Sequence, residues 1–96
     1  MRPSEAVRTH RSSILAVAIA NRVRNVRLFG SALRGEDTED SDLDLLVDPT
    51  PETSLMDIAR IQNRLHALLG IRVDVLTPKA LPPSFRDKVL AEAKPL

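Results

Sequence analysis

The sequence has no cysteine, no tryptophan and no tyrosine, and its only aromatic residues are Phe29 and Phe85. The absence of cysteine excludes disulfides, thiolate nucleophiles and cysteine metal sites. Two phenylalanines also provide little of the stacking surface that proteins binding single-stranded nucleic acids normally present. We therefore do not expect a surface that reads bases.

Long apolar runs are also missing. The most apolar stretch, residues 14–20, is seven residues long and lies between Arg11 and Arg22, whereas a membrane-spanning helix needs about 20 apolar residues. The stretch also begins too far from Met1 to resemble a signal peptide. With 43% hydrophobic and 28% charged residues, the chain is expected to form one soluble, cytoplasmic domain over residues 1–96, without membrane contact.

The net charge of +1 conceals an uneven distribution. Residues 1–34 carry seven arginines and one acid, residues 35–59 carry nine acids and no base, and residues 60–96 carry seven bases and three acids. An arginine-rich start could bind nucleic acid, but the near-neutral total and the lack of a DNA-binding motif disfavour that hypothesis. The acidic residues 36–40 are typical of a solvated loop.

Hydrophobic periodicity predicts an α/β domain in which helices pack against a small mixed β-sheet. A strand followed by a long helix and another strand can pair in parallel, whereas strands joined by the loop 31–41 can pair antiparallel. That loop has room for one helical turn. The predicted helices cover residues 4–21, the segment between Ser54 and Gly70, and residues 84–93, and the predicted strands cover residues 26–29, 43–48 and 71–76.

Two carboxylates interrupt the apolar strand around residues 43–48. Alternation places Asp42 and Asp44 on one face, with Cα atoms about 6.6 Å apart at about 3.3 Å per residue. Burying two like charges side by side is costly, so this face is either wet or holds a cation. Mg²⁺ is a suitable cation because it takes oxygen ligands and commonly bridges carboxylates to phosphates.

A third carboxylate, Asp74, lies between Val73 and Val75 in the next predicted strand. If that strand pairs with residues 43–48, Asp74 can face the same site and complete a three-carboxylate cage. Taken singly, each aspartate is equally compatible with a solvent-facing position. Together they indicate a two-metal site, in which ions about 3.5–4 Å apart hold the attacking and leaving oxygens of an in-line displacement.

Gly30 and Ser31 follow a predicted strand directly. Glycine lets the backbone turn and approach a ligand closely, and the N–H groups and the serine hydroxyl can then donate to phosphate oxygens. If a helical turn opens at residue 31, its N-terminus would add a favourable dipole. A Gly-Ser pair after a strand is more often an ordinary turn, and Arg34 is compatible with either a phosphate contact or a solvated cation.

The combination of these residues is more specific than any one of them. Gly30-Ser31, ten intervening residues and Asp42-Leu43-Asp44 match the G-S-x10-D-x-D signature of the polymerase-β-like nucleotidyltransferase superfamily. The chain also resembles the minimal nucleotidyltransferase (MNT) branch over essentially its whole length. The similar segments are the surroundings of the signature, the helix after it, Arg72 to Pro78 and the tail from Arg86 to Ala93.

The resemblance implies the polymerase-β-like nucleotidyltransferase fold and transfer of a nucleotidyl group from ATP with two Mg²⁺ ions. It implies that Asp42 and Asp44 hold the metals, that Asp74 ligates the metal activating the incoming hydroxyl, and that Gly30 and Ser31 hold the triphosphate. Stand-alone members resemble antitoxins paired with a HEPN-domain toxin, to one of whose tyrosines they attach AMP.

Two questions stay open at this point. The chain could be an antitoxin with a silent site that neutralises its partner by occlusion, although the three intact aspartates favour an enzyme. The chain is also too short for the extra domains with which larger nucleotidyltransferases hold the base and the acceptor, and it has no tyrosine to modify. We therefore expect a partner protein to supply the acceptor, and the scarcity of aromatic residues predicts that the base site also needs that partner.

Overall fold

A mixed four-stranded sheet forms the centre of the computed structural model, which describes residues 1–96. The strands lie in the order β3-β2-β1-β4, with β1 antiparallel to β2 and β4, and β2 parallel to β3. This arrangement confirms the predicted α/β fold. In chain order the elements are α1 (Pro3–Ala20), β1 (Val23–Phe29), α2 (Ser31–Arg34), β2 (Leu43–Pro49), α3 (Leu55–Leu69), β3 (Val73–Leu76), a 3₁₀ turn (Pro78–Ala80), α4 (Pro83–Glu92) and β4 (Lys94–Pro95).

Helices α1 and α3 cover one face of the sheet and form the hydrophobic core with it. Alternation along β2 directs Leu43, Leu45 and Val47 into this core, where all three are fully buried. The opposite face has no such helical layer, and Leu46 is buried there together with Leu81, which follows the 3₁₀ turn. The polar side chains of β2 and β3 therefore lie on the more open face. No helix is long and apolar enough to cross a lipid bilayer.

The structure extends the predicted strand 26–29 toward the N-terminus and adds β4. Strand β1 begins at Val23, and its pairing with β2 shifts register between Arg24 and Arg27. Asn25 adopts a positive φ of 50° within this bulge, a conformation that asparagine tolerates better than most residues. The bulge breaks the two-residue alternation from which strands are recognised. Strand β4 has two residues, one of them Pro95, and carries no sequence signal.

The boundaries of α3 match the prediction, and those of α1, β2, β3 and α4 differ from it by one or two residues. Strand β3 begins at Val73, whereas the prediction began it at Ile71. The residues between Gly70 and Val73 turn the chain after α3, although Ile71 itself packs into the core. The predicted helical turn inside the loop 31–41 is confirmed as α2.

Replacing Ser54 with alanine should lower the free energy of unfolding by about 1 kcal/mol, because Ser54 caps α3. Its side chain accepts a hydrogen bond from Asp57 N at 3.2 Å, and Asp57 Oδ2 accepts one from Ser54 N at 3.0 Å. Urea denaturation of both variants measures the change. Ser13→Ala, at an exposed position inside α1, is the control and should be close to neutral; an equal loss in both variants would contradict the capping role.

Candidate functional site

The pairing of β2 with its two neighbours brings the predicted site residues together. The parallel register places Asp44 opposite Asp74, and the antiparallel register places Asp44 opposite Phe29, directly before Gly30. Asp42, two residues before Asp44, shares its face of the strand. All three predicted aspartates therefore lie at the same end of the open face, next to the turn that joins β1 to α2.

A fourth carboxylate on this face has partners that the site carboxylates lack. Asp48, at the far end of β2, accepts hydrogen bonds from Arg27 Nη2 at 2.5 Å and from Asn25 Nδ2 at 2.8 Å. Asp44 and Asp74 accept no hydrogen bond from the protein. The nearest cation to Asp42 is Arg72, whose Nε lies 3.9 Å from Asp42 Oδ1. Negative charge is thus less fully compensated at the Asp44 end of β2 than at the Asp48 end.

This arrangement perturbs Asp44 most strongly. Burial, as the largest cause, and the charges of Asp74 and Asp42 together raise the pKa of Asp44 to about 6 from an ordinary value of 3.8, while Arg34 opposes the rise. Both causes disfavour the ionised form, because the carboxylate is half-buried and has like charges beside it. A carboxyl group perturbed by specific neighbours next to a cleft is typical of a functional site.

The raised pKa predicts that metal-free protein is destabilised by ionised Asp44. Because the folded-state pKa lies above the unfolded value, the destabilisation is absent below pH 3.8, grows as the pH rises, and is complete above about pH 6. We expect Asp44→Asn to be about 1 kcal/mol more stable than the wild type above pH 6, since solvent screens part of the repulsion. Urea denaturation in EDTA measures this difference, which should vanish near pH 3.8; a pH-independent difference would contradict the prediction.

The donor set fits a hard divalent cation in its chemistry. Carboxylate oxygens are the ligands that Mg²⁺ prefers, and a cation between Asp44 and Asp74 would relieve the repulsion that raises the pKa of Asp44. The side chains do not form the predicted cage in this conformation, because no three His, Cys, Asp or Glu residues are grouped so that they could hold an ion. Convergence on an ion would require side-chain rotation, which the absence of hydrogen bonds to Asp44 and Asp74 permits.

Gly30 brings the β1–α2 turn close to the carboxylate of Asp44. Its φ is +78°, a conformation that side-chain-bearing residues rarely adopt, and a methyl group on its Cα would overlap Asp44 Oδ2. Glycine is therefore required both by the backbone conformation and by the proximity of the carboxylate. The turn at Gly30 therefore lies beside Asp44, and the role of Gly30 and Ser31 in holding a triphosphate stays a prediction.

The loop between α2 and β2 is anchored by Asp37, which the sequence analysis had assigned to a solvated stretch. That interpretation is wrong for Asp37: it is only 6% exposed, and its Oδ2 accepts a hydrogen bond from Ser4 N at 2.8 Å. Burial alone would raise the pKa of Asp37, but the hydrogen bonds from Ser4 outweigh it and hold the pKa below its usual value. The loop that delivers Asp42 is thereby tied to the start of α1.

The arginine-rich start of the chain is largely engaged within the protein. Four of its arginines form ion pairs with acidic side chains, which reduces the charge available to a nucleic-acid backbone. The pairs are Arg2–Glu5, Arg22–Asp57, Arg27–Asp48 and Arg34–Glu36.

Comparison with known proteins assigns this arrangement to a family. The sequence profile described as polymerase beta, nucleotidyltransferase matches residues 13–96. The chain belongs to the polymerase beta nucleotidyltransferase family. As a member of it, the chain is a nucleotidyltransferase, and the family implies a nucleotide substrate and a divalent metal in general terms.

Individual members of the family match most of the chain. Protein adenylyltransferase MntA of Thermococcus cleftensis is 43% identical over 70 residues, which cover 73% of this chain and 71% of that protein. The structure of a candidate minimal nucleotidyltransferase superposes with a TM-score of 0.86 at 44% identity, covering 97% of this chain and 95% of the other. These matches confirm the resemblance to the minimal nucleotidyltransferase branch.

A more distant neighbour shares the fold. The crystal structure of a toxin–antitoxin with AMP-PNP superposes with a TM-score of 0.74, covering 88% of this chain and 69% of that chain, at 20% identity. At this identity the likeness establishes the nucleotidyltransferase fold alone.

Proposed function

We propose that this nucleotidyltransferase transfers AMP from ATP, with Mg²⁺, to a tyrosine hydroxyl of a partner HEPN-domain toxin and thereby acts as its antitoxin. The observation that carries the proposal is the convergence of Asp44, Asp74 and Gly30 at one end of the open face. The name of the Thermococcus cleftensis relative supports a protein acceptor, and the toxin–antitoxin neighbour with AMP-PNP supports an adenine nucleotide and a toxin partner.

In the proposed reaction, the acceptor hydroxyl oxygen attacks the α-phosphorus of ATP. A phosphorus–oxygen bond forms to the acceptor, the bond from the α-phosphorus to the oxygen bridging to the β-phosphorus breaks, and pyrophosphate leaves with that electron pair. The hydroxyl proton passes to solvent. Bound Mg²⁺ would supply charge neutralisation for the phosphate oxygens and acidify the acceptor hydroxyl.

The residues of this chain have distinct proposed roles. Asp42 and Asp44 would hold the metals beside the α-phosphate, and Asp74 would hold the metal next to the acceptor oxygen. Gly30 and Ser31 would donate backbone N–H groups to the triphosphate, which orients the bond to be broken. Strand β3, which carries Asp74, is the edge strand of the sheet, so a partner can approach that carboxylate from the side.

ATP labelled at either the α- or the γ-phosphate distinguishes this reaction from phosphorylation. With the partner and Mg²⁺ present, we expect the α-label to enter the partner and the γ-label to appear in pyrophosphate, and EDTA should abolish both. Transfer of the γ-label to the partner would contradict the proposal. An inhibited partner that carries neither label would instead favour occlusion by a silent antitoxin.

A further inference from the structure

A cleft of about 260 Å³ opens beside Gly30, between the β1–α2 turn and helix α4. The only two aromatic residues of the chain, Phe29 and Phe85, both line it. They are far apart in sequence, and the position of α4 beside the β1–α2 turn brings them to the same cleft. The other lining residues are Gly30, Arg34, Lys88, Val89 and Glu92.

Helix α4 is attached to the domain mainly through its first turn. The Arg86 guanidinium donates hydrogen bonds to the carbonyls of Pro78 at 2.9 Å, Lys79 at 3.3 Å and Leu81 at 2.9 Å. No residue of α4 is buried. Phe85, adjacent to this anchor, leaves 44% of its surface exposed, which is a large apolar area for a side chain that faces a cleft.

We infer that this cleft receives the base of the nucleotide, stacked against Phe85, while the triphosphate extends past Gly30 toward the aspartates. The inference rests on the proposed function. A cleft of 260 Å³ is smaller than the roughly 300 to 1,000 Å³ of sites that enclose a whole ligand, so it suits one ring system and leaves the phosphates outside. Arg34 and Lys88 also line the cleft, and the ion pair of Arg34 with Glu36 is exposed, so it is weak enough for a phosphate to compete with Glu36.

The charges and the aromatic rings favour a nucleotide base over another apolar occupant. An aromatic face stacks on any base, and cations beside it attract the phosphates of the same molecule. The carboxylate of Glu92 adds a hydrogen-bond acceptor suited to an exocyclic amino group. This assignment differs from the expectation that the base needs the partner, because the two phenylalanines are brought together by the fold and not by the sequence.

Titration of the full chain with ATP and with inorganic triphosphate, each with Mg²⁺, tests the inference. Phe85→Ala should weaken ATP binding about tenfold and leave the affinity for inorganic triphosphate unchanged. Leu90→Ala is the matched control, since Leu90 is exposed on the same helix and does not line the cleft. It should change neither affinity.

Phe85→Trp allows a second measurement, because the introduced side chain would be the only indole in a chain without tryptophan or tyrosine. ATP should change its fluorescence and inorganic triphosphate should not. If Phe85→Ala binds ATP as tightly as the wild type while triphosphate still binds, the base site is refuted and the proposed function stands. If the wild type binds neither ATP nor triphosphate, both are refuted.

Discussion

Replacing Asp44 with asparagine should reduce AMP transfer by at least about 10³-fold while making the metal-free protein more stable. The activity should fall because the substitution removes the charge of a proposed metal ligand that lies between Asp42 and Asp74. The stability rises because the same substitution removes the half-buried charge whose pKa is raised to about 6 by burial and by Asp74 and Asp42. A purely structural aspartate would lose stability on substitution, so the two changes together are diagnostic of a functional site.

Asp48→Asn is the matched control for this experiment. Asp48 lies on the same strand and the same face, but it is paired with Arg27 and Asn25. The substitution should lower stability slightly, since it weakens a partly exposed ion pair, and leave most of the activity. Initial rates of AMP transfer and urea midpoints of both variants provide the comparison. Equal activity losses in the two variants would contradict a specific role for Asp44.

Replacing Gly30 with alanine should lower the rate of transfer by at least about 10²-fold, because an added methyl group must displace either the turn or Asp44. At φ +78° and ψ −156° the alanine would also occupy a backbone region almost exclusive to glycine, which should lower the free energy of unfolding by about 1–3 kcal/mol. Activity and stability should therefore both fall. Rates and unfolding free energies of the purified variant measure the two effects separately.

Gly70→Ala tests the effect of a strained backbone without a steric overlap with Asp44. Gly70 has a φ of +70°, similar to that of Gly30, but a methyl group there would meet nothing within 4 Å. It ends α3 and is not part of the predicted site. The ψ of 15° at Gly70 places it in the left-handed helical region, so alanine there should cost about 1–2 kcal/mol, somewhat less than the conformation of Gly30, and leave the activity unchanged. If Gly70→Ala lost as much activity as Gly30→Ala, general destabilisation would explain both results.

The sequence was sufficient to predict the parts of the fold that depend on local patterns. The capping residues Ser54 and Gly70 bound α3 as predicted, and the alternation around residues 43–48 predicted a strand with its aspartates on one face. The position of Asp74 beside Asp44 followed once the strands were assumed to pair. The register that confirms it comes from tertiary packing, which no local pattern determines.

The features that the sequence did not predict depend on contacts between distant residues. The sequence places Asp37 among several solvated acids, whereas in the structure its buried carboxylate accepts a hydrogen bond from Ser4 N. Phe29 and Phe85 are separated by most of the chain, so their common cleft was not visible in the sequence. The bulge at Asn25 shortened the strand that alternation could predict.

The intact mass of the partner toxin, purified after co-expression with this chain, tests the proposed antitoxin activity most directly. We predict a mass increase of one or more AMP units with the wild-type chain, no increase with Asp44→Asn, and a restored increase when purified wild-type chain, ATP and Mg²⁺ are added. A partner that is silenced by the wild-type chain but retains its unmodified mass would contradict adenylylation.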